Sequence, residues 1–256
     1  MNSRQRVTAA LNRQPVDRVP IFMWFHPSTA RRLGAMLDIP AGKVGDAMGN
    51  DVHMTWVNNN YAMEGIVHEH DGEGHVDEWG IEWVKEGEYN QIVRSPLAGA
   101  SPETVLGYRF PVECIDALVA RMEPLMAGRD EYFIGVDVSP CVFEMYNRLR
   151  GMEEALLDLA AAPNIADTML SRCADYSVAL SEASCERYPV DWLWTGDDVA
   201  GQQSLMMGPD LWRMYIKPHL KRVTRGGVAR GLPVAYHCCG ALRDIIPDLI
   251  EIGIGI

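Results

Sequence analysis

The second half of the chain repeats one unit: a short apolar run, a longer amphipathic stretch, then another apolar run. Strands are expected over 132–138, 192–195 and 234–237, and helices over 115–126, 153–161, 166–188, 210–230 and 244–251. A strand, a helix and a second strand pack together when the two strands lie parallel, because the crossover helix returns the chain to the same end of the sheet. An α/β fold with a buried parallel sheet follows. At 256 residues the chain suits one such domain of barrel size, and residues 1–256 are read as a single domain.

The first half is less regular. Ser3 is expected to cap a helix that presents Val7, Ala10 and Leu11 on one face and stops at Gln14-Pro15. Residues 18–24 read as a short buried strand after a proline boundary, residues 30–37 as a helix, and Asp51 as a carboxylate at a strand end. Residues 61–97 alternate with period two around glycine turns, the pattern of a β-hairpin or meander, and form an excursion from the main domain. The closing Ile252-Gly253-Ile254-Gly255-Ile256 resembles the entry to a strand. Counting strands leaves a barrel about two short, so its last strands and helices are expected to lie beyond this sequence.

Charge and cysteine usage exclude several classes. Lys plus Arg number 23 against 35 Asp plus Glu, a net charge of −12, which disfavours nucleic acid and anionic membranes as partners. The polar start Met1-Asn2-Ser3-Arg4 is followed by no apolar signal region, and no run is long enough to span a bilayer. The protein is read as cytoplasmic. Six scattered cysteines in so apolar a chain are mostly core residues, with the adjacent Cys238 and Cys239 as the exception.

Two constellations carry chemistry. Tyr236-His237-Cys238-Cys239-Gly240 closes an expected strand, and parallel α/β folds place their active sites at that end. Imidazole and thiolate are good zinc ligands, and alternation turns His237 and Cys239 to one side and Cys238 to the other. Zinc wants three or four ligands and a third is not evident. A buried strand end with a satisfied histidine and two core cysteines accounts for the same residues. Asp197 and Asp198, in Thr195-Gly196-Asp197-Asp198, also follow a strand. They could orient a ligand, act as general acid or base, or bind a cation; otherwise one caps the next helix and the other is solvated. A barrel face shared with His237 favours function. His68-Glu69-His70-Asp71 with His75 reads as a solvated turn, and His219 as part of a surface face. There is no glycine-rich phosphate loop and no nucleophile elbow.

Taken together, the motifs resemble the uroporphyrinogen decarboxylase superfamily over essentially the whole chain. The matching pieces are Arg6-Val7-Thr8-Ala9-Ala10-Leu11 with Pro15-Val16-Asp17-Arg18-Val19-Pro20, Asp77-Glu78-Trp79-Gly80, Ser95-Pro96-Leu97-Ala98, and Asp197-Asp198 with Gln202. Gly208-Pro209-Asp210-Leu211-Trp212, Lys217-Pro218, His237-Cys238-Cys239-Gly240 and Ile246-Pro247-Asp248-Leu249-Ile250 complete the set. Each is weak alone, but their order and spacing are specific. The resemblance implies a (β/α)₈ TIM barrel.

The superfamily holds two chemistries. Its decarboxylases bind an octa-anionic tetrapyrrole through an arginine-bearing segment after the first strand. Here that segment is Met23-Trp24-Phe25-His26-Pro27-Ser28-Thr29, with no arginine before Arg31. Polyanions need fixed cations. Asp51 and Tyr146 do match decarboxylase active-site positions. The His-x-Cys of His237 and Cys239 resembles instead the zinc site of corrinoid-dependent methyltransferases, of the methylcobamide:coenzyme M and O-demethylase kinds, where a further cysteine lies far downstream. The resemblance implies a zinc-dependent methyltransferase that passes a methyl group between a methylated donor or thiol acceptor and a corrinoid protein. His237 and Cys239 would be zinc ligands, Asp197, Asp198, Asp51 and Tyr146 the catalytic candidates, and Gln202, Glu144 and His26 substrate contacts. A homodimer is among the implied assemblies. A porphyrinogen decarboxylase and a non-catalytic corrinoid-binding barrel are the alternatives.

Overall fold

A computed structural model describes residues 1–58 and 68–256. Among the described residues seven strands occur in chain order: β1 (Val52–Trp56), β2 (Gly74–Val76), β3 (Glu82–Glu86), β4 (Tyr89–Arg94), β5 (Phe133–Asp137), β6 (Trp192–Gly196) and β7 (Val234–His237). They form two sheets. Strands β1-β5-β6-β7 make a four-stranded sheet that is parallel throughout, and β2-β3-β4 a separate antiparallel one. The expected α/β class and the inserted hairpin region are thus both present. Four parallel strands with crossover helices are consistent with a TIM-barrel-like fold, although the described residues do not close an eight-stranded barrel.

Alternation along the parallel strands sorts side chains onto two faces. Val136, Leu193 and Val234 face the helices and join the main core with Leu170, Leu180, Leu220 and Val223, from the long helices Pro163–Arg187 and Lys217–Ala229. On the opposite face Val52, Phe133, Trp192 and Ala235 form a small apolar layer with Val7 of the first helix. Gly135 is what makes room for it: a Cβ there would lie 1.8 Å from Nε1 of Trp192. Two or four residues further along the same strands, that face becomes the wall of a cavity.

Several local expectations change. Asn2, not Ser3, caps the first helix (Ser3–Leu11), in a capping box with Gln5. Residues 18–24 form no strand. The amide of Ile21 is taken by Asp51 Oδ2 and that of Met23 by Asn50 Oδ1, so side chains replace a ladder. The helix expected over 115–126 stops at Ala120 and tightens into a 3₁₀ segment, Glu123–Gly128, around Pro124. Asp77-Glu78-Trp79-Gly80 is a turn and not part of a strand: Asp77 accepts from the amides of Trp79 and Ile81 and from the Trp83 indole. His219 is buried and pairs with Asp167 at 2.9 Å. Ile66 and Val67, expected in the hairpin, lie outside the described residues. Among the described residues no helix is long and apolar enough to cross a membrane.

Candidate metal centre and active-site pocket

All four parallel strands end at one cavity of about 430 Å³, where Trp56, Asp137, Gly196 and His237 are their last residues. Met54 and Trp194, two residues back on β1 and β6, line it lower down. This is the carboxyl end of a parallel sheet, where helix-to-strand geometry leaves a crevice.

β6 and β7 set the site. Asp197, next after β6, donates its N–H to the carbonyl of His237 at 3.1 Å, and Tyr236 Oη donates to the carbonyl of Asp197. The two strand ends therefore advance together into the loops that carry Asp198 and Cys239. The N–H of Cys239 donates to Oδ1 of Asp198 at 2.7 Å. Gly240 follows, where a Cβ would sit 2.2 Å from the carbonyl oxygen of Ala200, so the Cys238–Gly240 turn can press against the Ala200–Gly201 loop only without a side chain.

His237 Nε2 lies 3.3 Å from Cys239 Sγ, and its ring stacks on Trp194. Asp198 completes a group of three in which one ligand atom from each residue falls within 4.8 Å of the others. No other such group occurs among the described residues. The third candidate ligand beside His237 and Cys239 is thus Asp198, read from sequence as a residue that could orient a ligand, act as general acid or base, or bind a cation. Cys238 turns away and packs on the main core, as alternation requires. Burial first, and the Asp198 carboxylate second, push the Cys239 thiol up to about 11.

The other expected residues divide. Glu144 lines the cavity; its Oε2 accepts from the N–H of Asp198 and its Oε1 from Arg148 at 2.6 Å. Asp197 is fully buried beneath the cavity, and its Oδ1 accepts from the amides of Val142 and Glu144. It anchors the start of the helix Phe143–Arg150 that carries Glu144 and Arg148. Burial pushes its carboxyl up to about 8 against the pull of those amides. His26 caps the helix Pro27–Leu37 and packs on Tyr89 and Trp24 outside the cavity lining, and Gln202 is exposed on a loop.

Asp51 and Tyr146 are not brought to the site. Asp51 precedes β1, at the opposite end of the sheet from Trp56, fully buried under Arg6 and Arg18. Tyr146 lies in the core and donates to Asp158, which Arg150 also binds. The His68 turn holds His68 against His75 at 2.9 Å and joins no metal-binding group. Sequence reasoning missed Phe22, Trp24, Trp56, Trp194 and Arg148 as cavity residues. The places of Trp56 and Trp194 near strand ends were the available signal.

The profile of the uroporphyrinogen decarboxylase (URO-D) family matches residues 128–256, half of the chain. No curated protein matches. A solved methyltransferase from Methanosarcina mazei is similar in fold, with a TM-score of 0.68 and 16% identity over 99% of this chain and 74% of that one.

Proposed function

The chain belongs to the uroporphyrinogen decarboxylase family, and from that premise we propose that it is a single-barrel enzyme of the zinc-dependent methyltransferase branch, working with a corrinoid protein. The observation that carries this reading is the Asp198, His237 and Cys239 group at the carboxyl end of the parallel sheet. Imidazole nitrogen, thiolate sulfur and carboxylate oxygen are a donor set suited to zinc, and three protein ligands leave a fourth position for substrate. Bound there, zinc would lower the pKa of a substrate thiol and make a thiolate available to a methyl group at neutral pH.

The chain's own residues do the rest. Asp198 can serve a metal through Oδ2 because Oδ1 is occupied by the Cys239 amide, a contact that also fixes where the thiol sits. Glu144 holds the backbone of Asp198 and orients Arg148. Trp194 supports the His237 ring by stacking. The neighbouring fold in Methanosarcina mazei, a methyltransferase, agrees with this assignment.

Porphyrinogen decarboxylation fits less well. The cavity lining carries Asp137, Glu144 and Asp198 against Arg148 as its guanidinium, the reverse of what a polyanion needs. The reading is tested by metal content after purification without added zinc. About one zinc per chain in the parent and little in Cys239→Ser supports it; no zinc in either overturns it.

A further inference from the structure

The cavity beside the metal-binding group has a second character that zinc chemistry does not require. Four of its lining residues are aromatic: Phe22, Trp24, Trp56 and Trp194. They form two edge-to-face pairs, Trp24 with Trp56 at 5.4 Å and Phe22 with Trp194 at 5.5 Å between ring centroids. Trp24 and Phe22 keep 43% and 38% of their surface exposed, so their faces are open to a ligand and not consumed in the core. Three carboxyl side chains, Asp137, Glu144 and Asp198, stand in the same wall. The cation there, Arg148, is already bound by Glu144 at 2.6 Å and lies over the Trp83 ring.

Aromatic faces attract cations through the ring quadrupole, with tryptophan the strongest, and a cation that cannot form hydrogen bonds gains most from them because it loses little hydration. Carboxylates nearby add charge complementarity, and a net charge of −12 draws cations to the surface at large. We infer that this cavity binds a quaternary methylammonium compound, with its head among Trp24, Trp56 and Trp194. A neutral methyl ether would fit the apolar walls equally well, but nothing on it would be drawn to ring faces and carboxylates together. A methyl group on a positively charged nitrogen is also activated for transfer: as a thiolate acceptor forms its S–C bond the C–N bond breaks, and the nitrogen keeps that electron pair and leaves as a neutral amine. That this cation is the methyl donor rests on the methyltransferase reading; its binding does not.

The test is isothermal titration of the full chain with choline and with its uncharged isostere 3,3-dimethylbutan-1-ol, zinc content being measured on the same sample. Choline should bind at least about tenfold more tightly. Trp24→Leu and Trp56→Leu, which keep apolar bulk but remove a ring face, should each bring the ratio to within about threefold. Equal affinities, binding of neither compound, or a ratio unchanged in both variants would overturn the inference. A sample without zinc that keeps the preference counts against the metal reading and for this one. One zinc per chain with no preference does the opposite.

Discussion

The backbone N–H of Cys239 donates to Oδ1 of Asp198 across 2.7 Å, joining residues 41 apart in sequence. That bond places a carboxylate and a thiol in the same few ångströms before any ion arrives. The parallel pairing of Gly196 with His237 brings the two loops to that position. In the proposed zinc site Asp198 would thus act twice, as a ligand and as the acceptor that orients the Cys239 backbone.

Replacing Asp198 separates these two roles. Asp198→Asn keeps an oxygen for the Cys239 amide but loses the charge, and Asp198→Ala loses both. Zinc affinity by competition with a chelator should fall by roughly tenfold in the first and 100-fold or more in the second. Equal affinities for parent and Asp198→Ala would remove Asp198 from the ligand set.

Gly240 makes a different demand. A side chain there meets the backbone of Ala200 and Gly201, at 2.2 Å and 2.6 Å, and neither is a flexible group. Gly240→Ala must therefore shift the turn that carries Cys239. Zinc affinity should drop by at least about tenfold, with a stability loss of about 1–3 kcal/mol by urea unfolding. Stability loss with full zinc affinity would show that the turn relaxes elsewhere.

Much of the framework was legible because it is periodic. The runs at β5, β6 and β7 are apolar and bounded by helices, and each lies within two residues of where alternation put it. His237 and Cys239 on one side with Cys238 on the other follow from the same period. Asp198 was legible as a possible cation binder near His237, but not as the partner of Cys239, because that contact comes through strand pairing that no local pattern encodes. Nor was the sorting of Asp197 from Asp198: adjacent carboxylates at a strand end look alike, and only the buried amides of Val142 and Glu144 decide which turns inward. Residues 18–24 misled for a related reason. Their apolar texture is that of a strand, but Asp51 and Asn50 take their amides from the side.

Asp51 holds the first helix and the Arg18 segment together through its ion pairs with Arg6 and Arg18. Burial alone would raise its pKa, but the amide of Ile21, the Ser3 hydroxyl and the guanidiniums of Arg18 and Arg6 hold it below the ordinary carboxylate value. The native state therefore favours the ionised form. Its contribution is fully present above the unfolded value of about 3.9 and is lost as pH falls through the lower folded value. Asp51→Asn should cost about 1.5–3 kcal/mol at pH 7, because Arg6 and Arg18 lose a buried carboxylate partner while Asp17 still holds Arg6. In urea titrations the gap between parent and variant should narrow below pH of about 4, while zinc content stays unchanged. A gap independent of pH would mean that the ion pairs do not supply this stability.

The layer beneath the cavity offers a test of the fold itself. Gly135 on β5 lies under the indole of Trp192 on β6, and a methyl group at Gly135 would stand 1.8 Å from Nε1. That nitrogen makes no hydrogen bond, so Trp192→Phe removes volume without stranding a polar partner. Gly135→Ala alone should lower stability by about 1–3 kcal/mol through overpacking, and Trp192→Phe alone by about 1–2 kcal/mol through the space it leaves. Each change relieves the fault of the other, so the double variant should be more stable than the sum predicts by about 1 kcal/mol or more. Thermal unfolding of the four proteins measures this coupling. Strict additivity would place the two residues out of contact and would contradict the register Gly135↔Trp192 between these strands.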